Sequence, residues 1–123
     1  MPDKEMTPTP FVERDSDHYV LTTEPDEALE TAWRVLQALE LRRHGTHEHY
    51  GDKQKVEVLD SLRNGVEHRP YGGIFAVEIY ESPDVDGQVN LLVSNRNGRH
   101  DNRYSGLLKE VVSLAGENKP THD

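Results

Sequence analysis

Ile74-Phe75-Ala76-Val77-Glu78-Ile79-Tyr80-Glu81 is followed by Ser82-Pro83-Asp84-Val85-Asp86-Gly87 and then by Gln88-Val89-Asn90-Leu91-Leu92-Val93-Ser94. Phe75, Val77 and Ile79 alternate with small or polar neighbours, and Val89, Leu91 and Val93 repeat the period of two, so each flank reads as a strand. Pro83 and Asp86-Gly87 supply turn chemistry between them. Strands joined this closely run antiparallel, and an antiparallel sheet packs one face while leaving the other to solvent.

Working outward, Tyr104, Leu107, Leu108, Val111 and Ala115 recur at helical spacing, which predicts a helix from about residue 101 or 102 to 115, with Gly116 ending it. Upstream, Gly72 and Gly73 introduce the first of the two strands. Residues 46–50 and 55–62 also read with a period of two, separated by Gly51-Asp52-Lys53-Gln54 and closed by Arg63-Asn64-Gly65, which predicts a further hairpin. Before it, Leu29, Ala32, Trp33, Leu36 and Leu39 form one apolar stripe. That helix has Thr23 and Pro25 at its start, Asp26 and Glu27 at its positive end, and Arg42, Arg43 and Gly45 at its close. Residues 18–23, His-Tyr-Val-Leu-Thr-Thr, read as a short strand with Tyr19 and Leu21 on one face.

The expected order is βαββ(β)βα: an α+β domain in which an antiparallel sheet of four to five strands carries two helices on one face, spanning residues 18–116. Residues 1–17, with Pro2, Pro8 and Pro10 among charges, read as a disordered acidic arm, and residues 117–123 as a frayed tail. The chain's 123 residues suffice for one core, even though hydrophobic residues make up only 33% of them.

The formal charge is −9, and it is unevenly placed. Residues 1–30 hold nine acids against Lys4 and Arg14, a net of −7, which leaves −2 for the other 93 residues. Such a balance opposes nonspecific binding to nucleic acid or anionic membrane, both of which need an extended positive field. Without cysteine there are no disulfides, no thiol catalysis and no lipid-acceptor cysteine in this sequence. No apolar run approaches the roughly 20 residues of a membrane span, and no signal peptide opens the chain. A cytoplasmic location is expected, or an envelope location where a signal segment has been removed.

Ser94-Asn95-Arg96-Asn97-Gly98-Arg99-His100-Asp101-Asn102-Arg103 is the strongest candidate site, because it gathers three arginines and three asparagines between a strand and a helix start. Arg96, Arg99 and Arg103 offer guanidinium forks to an anion or an acidic partner, with Asn95 and Asn97 orienting the contact. A solvated turn has the same composition, and Asp101, as a helix cap, would compete for the free backbone N–H groups. His44, His47 and His49 form a His-x-x-His-x-His spacing, the one candidate for zinc or copper. A histidine at a helix end and Glu48 pointing opposite to its neighbours argue for ordinary surface positions, so neither metal nor cofactor is expected. Trp33 and Phe75 read as core, whereas Tyr50, Tyr71 and Tyr80 read as exposed rings suited to partner contact. Neither Gly72-Gly73 nor any serine has the context of a phosphate loop or an activated nucleophile.

Ala32-Trp33-Arg34-Val35-Leu36, on a helix following a strand that ends in Thr-Thr, and Ser94-x-Arg96-x-Gly98-Arg99-x-Asp101, leading into the last helix, resemble small uncharacterised bacterial envelope and lipoprotein domains of βαβββα order. The resemblance spans residues 18–116 and implies the fold but no catalytic residues. This sequence departs from those domains in lacking a signal peptide and lipid-acceptor cysteine. The residues point to a non-catalytic binding or protein-interaction module with a protein or small-anion partner. The alternatives are a small metal-dependent hydrolase built on His47 and His49, and an acidic inhibitor protein, although a nucleic-acid mimic needs its charges in rigid rows.

Overall fold

The computed structural model describes residues 11–15, 17–44, 52–97 and 102–117. Strands Val12–Asp15 (β1), His18–Thr23 (β2), Phe75–Glu81 (β3) and Val89–Asn95 (β4) form one antiparallel sheet in the order β1-β2-β4-β3. Helices Pro25–His44 (α1), Asp52–Arg63 (α2) and Asn102–Glu117 (α3) complete an α+β fold.

The register explains which residues enter the core. Tyr19 lies opposite Val93, Leu21 opposite Leu91, Val77 opposite Val93 and Ile79 opposite Leu91, so these apolar side chains share one face. They pack with Leu29, Trp33, Leu36 and Leu39 of α1, Leu62 of α2, and Leu108, Val111, Val112 and Ala115 of α3. Both expected stripes are therefore the buried stripes. Arg34 Nε donates to the Ala115 carbonyl, and Arg42 Nη2 donates to Glu110 at 2.7 Å, so α1 and α3 run antiparallel. No described helix is long and apolar enough to cross a membrane.

Two expectations fail. Residues 55–62 are helical, not a strand. The alternation of Val56 and Val58 suggested a period of two, but Val58, Leu59 and Leu62 lie on one helical face against the core, while Val56 is 60% exposed. In a short apolar run the burial of Leu62 decides between the periods, and burial is a tertiary property. The other strand expected in that hairpin, 46–50, lies outside the described residues. The arm is also shorter than expected, because β1 pairs Val12 with Val20 and Glu13 with Tyr19, and Phe11 is buried. From Phe11 to Asp15 no proline interrupts the backbone, and Phe11 contributes an anchor at the sheet's border. Asp17 N donates to Asp15 Oδ1, an Asx-type turn that reverses the chain between β1 and β2. Residues 1–10 lie outside the described residues.

A paired substitution tests α2. A strand would place residues 56 and 62 on the same face, whereas the helix buries Leu62 (0% exposed) and exposes Val56. Leu62→Ala should cost about 2–5 kcal/mol in urea unfolding and Val56→Ala under about 0.5 kcal/mol. Equal costs would contradict the helix.

Candidate functional site

The junction between β4 and α3 is built around one carboxylate. Asn95, 8% exposed, donates from Nδ2 to Asp17 Oδ1 at 3.1 Å, and its backbone N–H donates to the Asp17 carbonyl at 2.9 Å. Ser105 Oγ, in the first turns of α3, donates to the same Asp17 Oδ1 at 2.7 Å. Asn97 N donates to Asn95 Oδ1 at 2.9 Å. Asp17 thus ties the β1–β2 turn to the last residue of β4 and to α3. Asn95 is thus engaged inside the fold through both its amide N–H and its amide oxygen.

Arg96 follows this tie. Its backbone N–H donates to the Ile74 carbonyl at 2.6 Å, which fixes the chain where β4 leaves the sheet, and its side chain is exposed. Arg103, exposed in the first turn of α3, holds its guanidinium carbon 5.9 Å from the Tyr104 ring centre. Arg99 lies outside the described residues.

A row of rings adjoins these arginines. Tyr71, Phe75 and Tyr104 meet edge to face, with centroids 5.3, 6.3 and 6.1 Å apart for the pairs Tyr71–Phe75, Tyr71–Tyr104 and Phe75–Tyr104. Arg43, in the last turn of α1, lies 5.5 Å over the Tyr71 ring. Tyr71 is half-buried, not the fully exposed ring the sequence suggested, while Tyr80 is exposed as expected and Tyr50 lies outside the described residues. Tyr71 also has a φ of 62°, the left-handed region that a ringed side chain seldom adopts, in the 3-10 turn Tyr71–Gly73. Arg69 holds this turn by donating from Nε and Nη2 to the Gly73 carbonyl at 3.2 and 2.6 Å.

A second group was missed at the sequence level. Glu40 is 4% exposed on α1, and His68 is half-buried where its backbone bridges to Val77 beside β3. Loss of hydration pushes the His68 imidazole below its ordinary pKa of 6.5, while the negative charge of Glu40 pulls the other way. The one signal was positional: Glu40 falls four residues after Leu36 and seven after Trp33, on the buried stripe of α1. Among the described residues no three His, Asp or Glu side chains are grouped to hold a metal ion. His47 and His49 lie outside them, as does the side chain of His44.

The imidazole gives a pH prediction. A histidine whose folded pKa is depressed binds fewer protons folded than unfolded, so its contribution is complete above about pH 6.5 and is lost as pH falls below it. Asp15, held low chiefly by its hydrogen bond with His18, and Glu110, held low chiefly by its hydrogen bond with Arg42, lose theirs only further into acid. Melting temperature should therefore begin to drop below about pH 6.5, and His68→Gln should flatten that first drop; an unchanged profile would remove His68 from the account.

No family model, no curated protein and no solved structure matches this chain.

Proposed function

We propose that this domain is a non-catalytic binding module that engages an acidic protein segment through Arg96 and Arg103, with Arg99 on the chain between them. The supporting observation is the presentation of Arg96. It is an exposed guanidinium on a backbone fixed on one side by Asn95 and Asp17 and on the other by Ile74. A fixed backbone lowers the ordering cost of a contact, and an arginine fork matches a carboxylate with two parallel hydrogen bonds.

Catalysis has weaker support. Glu40 and His68 are neighbours, but both belong to the packed interior and its border, and the described grooves are elsewhere. They lie between α1 and α3, between α1 and α2, and beside the β3–β4 turn, with volumes of about 310, 340 and 280 Å³. In the groove beside the β3–β4 turn the one hydroxyl, Ser82 Oγ, accepts from the backbone N–H groups of Asp84 and Val85 as part of the turn.

Arg96→Gln with Arg103→Gln, titrated with a short poly-glutamate peptide at physiological salt, tests the proposal. Each lost exposed pair costs about 0.5–1 kcal/mol, so the double variant should bind about five- to thirtyfold more weakly, with a shallower salt dependence and an unchanged melting temperature. Unchanged affinity would place the binding surface elsewhere, and unfolding would make these arginines structural.

A further inference from the structure

Resting on the arginine-end reading above, we infer that the binding surface extends across the ring row to Arg43, that Tyr71 is its positioning residue, and that its ligand is an extended acidic peptide, not a single small anion. Two arginines stand on two touching tyrosines: Arg43 over Tyr71, Tyr71 against Tyr104, and Arg103 over Tyr104. These residues come from the end of α1, the 3-10 turn and the start of α3, so only the folded chain assembles them. A guanidinium lying over a ring gives up one face and keeps its N–H groups at its edge, where a carboxylate binds.

The backbone at Tyr71 supports a positioning role. A φ of 62° at a tyrosine is maintained against local preference, and Gly72 and Gly73 continue in the left-handed region with φ of 65° and 92°. Arg43 lies beside this turn, its Nη2 3.6 Å from where a Cβ on Gly72 would stand. The reversed turn thus sets the Tyr71 ring between Arg43 and Tyr104.

Affinity arithmetic selects the ligand class. An exposed ion pair contributes up to about fivefold in affinity, so three acting together contribute up to about a hundredfold. Arg43, Arg96 and Arg103 are all exposed, so a lone phosphate or carboxylate would meet solvent-screened forks. A chain carrying several carboxylates engages Arg43, Arg96 and Arg103 together and gains from each in turn.

The test uses the full chain at physiological salt with two probes, the short poly-glutamate peptide and inorganic phosphate. The unsubstituted protein should bind the peptide and bind phosphate at least tenfold more weakly; phosphate binding as tightly as the peptide would overturn the ligand class. Arg43→Gln should weaken peptide binding about three- to fivefold with the melting temperature unchanged. Tyr71→Phe should bind as the native protein does, because the ring and not the hydroxyl supports Arg43. Tyr71→Gly, which accepts the left-handed backbone without strain, should lose affinity comparably to Arg43→Gln. Should Tyr71→Gly unfold, Arg43→Gln still decides. Peptide affinity unchanged in Arg43→Gln but reduced in Arg96→Gln with Arg103→Gln would overturn this extension and leave the smaller site standing. Failure of the native protein to bind the peptide would overturn both.

Discussion

The pairing of β4 with both β2 and β3 is the constraint on which the rest of the molecule depends. Residues 89–95 satisfy the backbone donors and acceptors of β3 through a local turn and those of β2 across most of the chain. Leu91 and Val93 are the apolar residues shared by both interfaces, and they are wholly buried beneath the helices. The β3–β4 hairpin brings together residues close in sequence, whereas the β2–β4 pairing closes a loop that holds α1, α2 and their connections. Loop-closure entropy opposes the longer-range pairing, and the packing of α1 on β2 and β4 offsets it.

The same pairing positions the candidate site. Extending the register past Ser94 brings Asn95 to Asp17, and Ser105 adds the first turns of α3 to the tie. A carboxylate accepting from an amide and a hydroxyl, in a half-buried position, fixes three segments with few atoms. Arg96 leaves the sheet from that fixed point, and Arg43 and Arg103 reach the same end from the two helices that cover it. In a chain of charge −9, cations brought together in this way are a local feature set by topology, not by composition.

Much of this was legible in the sequence. The stripes of α1 and α3 and the alternation in β3 and β4 are long enough for their periods to be unambiguous, and the structure buries the side chains they select. Residues 55–62 were not, because Val56 and Val58 fit a strand as well as a helix and only the depth of Leu62 separates them. β1 was obscured by the prolines before it, although Phe11 marks where they stop. At the site, Arg96 and Arg103 could be singled out by composition, but the engagement of Asn95 depends on Asp17, 78 positions away. Tyr71 was singled out as a ring suited to partner contact, but its strained backbone and its pairing with Arg43 carried no local mark, since a dihedral sign and a contact between distant segments have no signature in residue type.

β1 closes one border of the sheet with four exposed residues, Val12, Glu13, Arg14 and Asp15. Were two copies to join there antiparallel in a continuous sheet, their packed faces would have to lie on the same side, which restricts the register to those that set a residue opposite its own counterpart. Centring the pair on Glu13, Arg14 or Asp15 then opposes like charges directly, an arrangement that destabilises neighbouring strands. Three of the four possible centres along this border are thus disfavoured for duplication while its hydrogen-bonding groups stay in place, a selectivity written in three consecutive charged side chains.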